Sequence, residues 1–406
     1  MRGPPASAAP PRAFGLLFLA LCVGAIAVLL FYGLHDDASR WAFANRCDGR
    51  DAVTYYFAAL ASLQAISPYD LQTITAQFQV GALFVYPLFT LPLFYPLLAF
   101  DPDTALLLLA LLRLACLAAL VRLWSRLLPV DWRWQLVFLP VGLGGAAVHD
   151  LCSANIVAFE ALALWLGIGA LWRGVVGGFA GWIGVAALPK LSWLALLPLA
   201  LRQARSAWRA IAIVLGAAAA LFALWIALWP DSFGQWFAHT RMTATFRYNM
   251  FTLLRTVVAM LGGDVTGAYV GRIEAWGYGL WIGLVGLVLL QALRRSIGLR
   301  SLALLALASL LAVWPGNLSY SWLPLLPLVP VVAFFLARNG MSSAGLMLAV
   351  LCLWPQPLLD WTGPGNVMGQ GAFIAVVALW ASLAVIVARW PEAFEAWLGG
   401  GMPAAH

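Results

Sequence analysis

Phe14 to Leu34 reads FGLLFLALCVGAIAVLLFYGL, an apolar run without a single charge. A helix needs roughly 20 apolar residues to cross a bilayer core, so this stretch predicts a first membrane span. Arg2 and Arg12 precede it, which assigns its N-terminal end to the cytoplasmic side. The run is too long for the core of a signal peptide and no small-residue cleavage site follows, so it reads as an uncleaved helix. The preceding residues 1–13, rich in proline and alanine, are expected to be disordered.

Comparable runs recur near 79–100, 104–123, 134–150, 153–172, 175–201, 208–229, 276–293, 298–314, 318–337, 341–356 and 370–389. The 406-residue chain is 64% hydrophobic and 10% charged, a balance that a soluble fold does not need. Barrel strands would alternate in polarity over about ten residues, and no such pattern is present. The prediction is an all-α polytopic membrane protein with about 10–12 transmembrane helices. It forms one integral-membrane domain, 14–390, with polar outer loops at 35–78 and 230–275 and a C-terminal tail at 391–406. If every run crosses, Arg122, Arg126, Arg133 and Arg173 lie outside, against the positive-inside tendency. The alternative makes 79–100 and 175–201 re-entrant hairpins, broken at Pro87, Pro92, Pro96 and Pro189, which returns those arginines to the inside. Both arrangements keep the two large loops on one outer face.

The net charge of +7 is almost wholly arginine, with Lys190 the single lysine. No basic run with interleaved aromatics stands outside the apolar segments, so nucleic acid is not an expected partner. Cys22, Cys116 and Cys352 sit in apolar segments as packing residues. Cys47 and Cys152 flank polar loops, which leaves a disulfide between them open. His149, Asp150 and Cys152 resemble metal ligands only superficially, and no metal or other cofactor is expected.

The first polar loop carries DAVTYYFAALASLQAISPYD, Asp51 to Asp70. Val53, Tyr56, Phe57, Leu60 and Leu63 share one helical face. Ser67-Pro68 should end that helix, because a residue before proline leaves the α region. Such an amphipathic helix beside a span lies flat at the interface and holds Asp51, with Asp48 close by, at the membrane surface. Asp51 has two readings. It can be an N-cap, accepting bonds from free backbone N–H groups. It can also be a general base kept ionised by the helix N-terminus, with Asp48 as competitor or partner.

Lys190 lies inside an apolar run, where a lysine costs about 2.5–3.5 kcal/mol on insertion scales and so needs a partner or a wet cavity. Glu160 has the same problem in another run, and the two could form a structural ion pair. The other reading has Lys190 hold a lipid phosphate as a point charge. The second loop adds Arg241, Arg247, Arg255 and Arg272, with His239 and Asn249. These are either solvated charges or guanidinium partners for an anionic head group. No nucleotide-binding glycine fingerprint or P-loop is present, which argues against a soluble nucleotide-sugar domain.

Taken in order, these segments resemble the integral-membrane glycosyltransferases of family 87, which have the GT-C architecture and include polyprenol-phosphate-mannose-dependent mannosyltransferases. D-A-V-T-Y-Y-F-A-A, with Tyr55, and S-P-Y-D at Ser67–Asp70 resemble the family's Asp-x-x-x-Tyr-Tyr-x-Ala-Ala opening and Gly-x-x-Pro-Tyr-Asp close. V-Y-P-L-F, with Tyr86, resembles Tyr-Pro-Pro-Leu-Phe. Ser153-Ala154-Asn155 stands where Gly-Gln-x-Asn is usual. A-A-L-P-K-L-S-W, with Lys190 and then Arg202 and Arg205, resembles Ala-x-x-Lys-Pro and its basic tail. Asn249 to Arg255 is similar to an outer-loop segment ending in arginine. Pro315, Tyr320 and Pro327 resemble a segment that often carries histidine where this chain has Tyr320. The chain departs in lacking Gly-Gln before Asn155, in placing proline before the lysine, and in having no histidine at 320.

The resemblance implies inverting transfer of a sugar from a polyprenyl phosphate to an acceptor on the outer face. Asp51 would be the general base. Lys190, Arg247 and Arg255 would hold the donor phosphate, and Tyr55, Tyr86, Asn155, Asn249 and Tyr320 the substrates. Cations that offset the phosphate's charge remove the need for a metal. The proline-broken segments would line a groove for the prenyl chain. The implied partners are a polyprenyl-phosphate hexose with mannose the first candidate, a lipid or glycan acceptor, and membrane lipids. The implied location is a bacterial cytoplasmic membrane with the site facing outward. The rivals are a flippase or transporter of lipid-linked saccharide and a non-catalytic binder of lipid heads. Matching interrupted helices in the two halves, the sign of inverted repeats, are not found.

Overall fold

A computed structural model describes residues 10–35, 50–79, 84–243, 250, 253–254, 257–258, 268–295, 297–314, 319–353 and 371–400. The described residues are helical, with no strand among them. In chain order the α-helices are α1 (Arg12–His35), α2 (Arg50–Leu63), α3 (Leu71–Phe78), α4 (Pro102–Leu127), α5 (Trp132–Phe138), α6 (Ala146–Ser153), α7 (Val157–Trp172) and α8 (Val176–Ala187). They continue with α9 (Trp208–Leu228), α10 (Pro230–Thr243), α11 (Ala268–Arg294), α12 (Leu299–Val313), α13 (Leu328–Arg338), α14 (Ser342–Cys352), α15 (Gly371–Arg389) and α16 (Pro391–Gly399). Among the described residues five helical stretches are long and apolar enough to cross a membrane: 102–127, 205–228, 271–294, 321–338 and 371–389. This is an all-α polytopic membrane protein.

The proline positions shape two of the expected spans. Residues 88–93 and 95–99 form 3₁₀ turns, with Pro92 and Pro96 removing N–H groups that an α-helix would use. The run 175–201 is α8, a break at Pro189-Lys190, then a 3₁₀ segment Leu191–Arg202. A third run differs from expectation. Residues 134–150 do not form one helix but split into α5 and α6. Between them Leu143, Gly144 and Gly145 take positive φ. Left-handed backbone at three successive residues cannot continue a right-handed helix.

The chain folds as two units. One comprises 1–43, 120–148 and 245–406. Its centre is α13, on which every residue from Leu328 to Ala337 is buried. The rings of Phe14, Phe18, Trp134 and Phe334 pack edge to face nearby. At its C-terminal end α16 buries Phe394 and Leu398. Glu395 caps α12, accepting from the N–H groups of Arg300 and Ser301 and from Ser301 Oγ at 2.6–3.2 Å.

The other unit comprises 44–119 and 149–244. Its buried helix is α7, and Gly174, at φ +79°, turns the chain into α8. Helix α2 ends at Leu63, ahead of Ser67-Pro68, because Ala65 takes φ +59° and Ile66 N–H bonds back to Ala61 O at 2.9 Å. Its faces are buried to different extents. Ala52, Tyr55, Ala58 and Ala59 are buried, whereas Val53, Tyr56, Phe57 and Leu60 are half-buried and Leu63 is 62% exposed. Small residues let helices approach closely, while Val53 and Phe57 pack against a second cluster around Ala61 and Ile74. Asp70 caps α3 through the backbone N–H and hydroxyl of Thr73, and those bonds hold its carboxyl below the usual carboxylate range.

Candidate functional site

The α2 face with Ala52 and Tyr55 meets the 3₁₀ turns, where the Tyr55 ring stacks on Phe94 at 4.7 Å. That contact fixes the first turn of α2, which carries Asp51. Asp51 stands inside the helix rather than at the N-cap, and its Oδ2 accepts a bond from Asn155 Nδ2 at 2.6 Å. Asn155 is 1% exposed and follows Ala154, a residue at φ +59°. Its Oδ1 accepts from Val157 N–H at 3.2 Å and from Tyr86 OH at 3.3 Å. Because that oxygen must accept from the backbone N–H, the amide nitrogen is turned toward the carboxylate. Tyr86 OH also bonds Tyr55 OH at 3.2 Å. Tyr69 OH holds Tyr86 in place from its backbone, donating to Tyr86 O at 2.6 Å.

Asp51, Tyr55, Tyr86 and Asn155 thus form one hydrogen-bonded chain. Tyr86 is within electrostatic reach of both Asp51 and Glu160. Glu160 is 3% exposed, accepts from Trp193 Nε1 at 3.4 Å, and interacts electrostatically with Lys190. Lys190 sits at the break after α8, with Nζ 5.9 Å from the Trp193 ring centre. Glu160, with Lys190 within electrostatic reach of it, is thereby linked to Tyr86 of the Asp51 cluster. Asp48, Arg247, Asn249 and Arg255 lie outside the described residues, as does the side chain of Tyr320.

Arg113 and the carboxylate of Asp150 escaped the sequence reading as site residues. Arg113 is 2% exposed and Asp150 0% exposed, and they interact electrostatically. The available signal was the charge itself, since an ionisable residue inside an apolar run marks a site by default. Cys152, in the same turn, is disulfide-bonded. Cys47, the partner the sequence leaves open, lies outside the described residues. Among the described residues no three His, Cys, Asp or Glu side chains gather as a metal site would need.

The 2.6 Å bond from Asn155 to Asp51 also bears on topology. Twelve crossings put these residues at opposite membrane faces. The arrangement with two re-entrant hairpins puts them at the same face.

Two cavities adjoin the proline-broken segments. One, of about 520 Å³, lies between Ser62, Tyr95, Trp225 and Asp231. The other, of about 300 Å³, is an apolar groove lined by Gly184, Leu188, Leu191 and Ala217. Both include Phe89 and Leu221 in their walls. In the chain Leu188 lies two residues before Lys190 and Leu191 one after it.

A family model described as glycosyltransferase family 87 matches residues 84–315. No curated protein and no solved structure matches the chain. The matched stretch contains Tyr86, Asn155 and Lys190 but begins after Asp51 and Tyr55. Asp51 is tied to it by the bond to Asn155.

Proposed function

The chain belongs to glycosyltransferase family 87, and from that premise we propose that it moves a hexose, with mannose the first candidate, from a polyprenyl phosphate to a hydroxyl acceptor, with Asp51 as general base. The acceptor oxygen attacks the anomeric carbon and its proton passes to the Asp51 carboxylate. The bond from that carbon to the phosphate oxygen breaks, and its electron pair leaves with the polyprenyl phosphate. A single displacement of this kind inverts the anomeric centre.

The observation that carries the reading is the 2.6 Å bond from Asn155 to Asp51. It orients a carboxylate at the start of a helix, where the dipole favours the ionised, proton-accepting form. Lys190 supports the phosphate role as a cation at the break before Leu191–Arg202, and the apolar groove lined by Leu188 and Leu191 has a size and lining that suit part of a prenyl chain. A cation placed where charge develops on the leaving group lowers the barrier directly. The disulfide at Cys152 supports an outward-facing site, because such bonds persist in oxidising compartments. Lipid or glycan acceptors and a bacterial cytoplasmic membrane complete the proposal.

The test is transfer by purified protein in lipid, from labelled polyprenyl-phosphate mannose to a mixed cell-envelope extract. Wild type runs beside Asp51→Asn and Asp48→Asn. Transfer by wild type and Asp48→Asn, lost in a folded Asp51→Asn, is the expected result. Equal transfer by Asp51→Asn and wild type would overturn the base assignment and move it to Asp48.

A further inference from the structure

Arg113 is buried midway along α4, a 26-residue helix. A guanidinium at such a position costs at least about 2.5–3.5 kcal/mol on insertion scales, so its partners say what it is for. Nε donates to Leu109 O at 3.2 Å, one turn back on its own helix. Nη1 donates to Asp150 O at 2.7 Å and to Leu151 O at 3.2 Å. The Asp150 carbonyl has a second donor, the backbone N–H of Asn155 at 3.2 Å. The guanidinium therefore grips the carbonyl on which the turn from Asp150 to Asn155 closes. The left-handed Ala154 completes that turn, and the turn delivers the Asn155 amide to Asp51. The Asp150 carboxyl group lies within electrostatic reach of the guanidinium.

We propose that Arg113 is a positioning residue for the Asp51 carboxylate, acting through the turn from Asp150 to Asn155 and the Asn155 amide. The role calls for arginine. A fixed fork can serve its own helix and two neighbouring carbonyls together, whereas a lysine offers one point charge. The proposal rests on the reading of Asp51 as base.

The test uses the full chain in lipid nanodiscs. Arg113→Gln alone would leave the buried Asp150 carboxyl group without its neighbouring cation, so the main variant is Arg113→Gln/Asp150→Asn, which removes both ionisable groups together. Hydrogen exchange reads the turn without any need for activity. Peptides covering 150–157 should exchange at least about tenfold faster, while those covering the middle of α7 stay unchanged. With labelled polyprenyl-phosphate mannose, kcat should fall about 10- to 100-fold, the loss expected when a hydrogen bond to a charged group is misplaced, with donor KM held within about twofold. Adding Asn155→Ala should cost no more than a further factor of about two, because residues that act through one another are not additive. Arg113→Lys should recover the exchange protection only in part.

Unchanged exchange at 150–157, or faster exchange throughout α7, would overturn the proposal. So would losses that multiply when Asn155→Ala is added. Asp51→Asn, run alongside, separates the two readings. An active Asp51→Asn removes the base. An inactive Asp51→Asn beside an unimpaired Arg113→Gln/Asp150→Asn removes only the role of Arg113.

Discussion

Asn155 and Asp51 are 104 positions apart in the chain and 2.6 Å apart in the fold, with the amide nitrogen donating to the carboxylate. The donor's direction is set by Val157 N–H, which occupies the amide oxygen. Asn155→Ala should therefore lower kcat about 10- to 100-fold, the value of a hydrogen bond to a charged group. Asn155→Asp should be worse at neutral pH. It sets a second carboxylate against Asp51, and two carboxylates at that distance share a proton rather than both ionise. Steady-state transfer rates for the two variants check the order. An Asn155→Asp variant faster than Asn155→Ala would contradict it.

Lys190 and Glu160 invite a test that separates packing from catalysis. Glu160 is buried between Trp193 and the lysine's charge. Lys190→Met should lower the melting temperature, because it leaves a buried carboxylate without its cation. Lys190→Met/Glu160→Gln should regain most of that stability. Transfer should stay at least about 100-fold down in the double variant if the lysine also stabilises the departing phosphate. Thermal unfolding and transfer assays on the same preparations make the comparison. Recovery of both quantities would reduce the lysine to a structural partner.

The membrane class and the breaks at Pro92, Pro96 and Pro189 were legible in the sequence because both rest on local chemistry, apolar length in one case and a missing N–H in the other. Asp51 was singled out by its motif, and the fold sets it against Asn155. Which face of α2 packs was not legible. Ala52, Tyr55, Ala58 and Ala59 pack into one cluster, Val53 and Phe57 partly into another around Ile74, and Leu63 stays exposed; such a division depends on neighbours distant in the chain. The split of 134–150 was hidden because the left-handed backbone at Leu143 has no sequence signal of its own. Arg113 carried a signal, but its partners are carbonyls, and backbone partners leave no trace in residue types.

The bond between Asn155 and Asp51 makes a prediction about topology. With 79–100 and 175–201 as re-entrant segments, residues 130 and 174 both fall on the cytoplasmic side. Alkaline phosphatase fused after either residue should be inactive, and a fluorescent protein at the same sites should be bright. Arg122, Arg126, Arg133 and Arg173 then obey the positive-inside tendency. Active phosphatase at both sites would restore twelve crossings and leave Asp51 and Asn155 on opposite faces.

Cys152 lies three residues before Asn155 in the same turn and is disulfide-bonded, while Cys22, Cys116 and Cys352 carry free thiols. The remaining cysteine of the chain is Cys47, shortly before Asp51. Non-reducing digestion followed by mass spectrometry should return one linked peptide, Cys47 to Cys152. A bond closing a loop of about 100 residues is worth roughly 2–5 kcal/mol, so Cys47→Ser should lower the melting temperature measurably. The larger effect should fall on transfer, because the bond would bracket the contact between Asp51 and Asn155 from both sides. A membrane-impermeant reductant added to intact cells should slow transfer in wild type and leave the residual activity of Cys47→Ser unchanged. An unlinked Cys47 peptide, or equal inhibition of both proteins, would break the connection between this bond and the site.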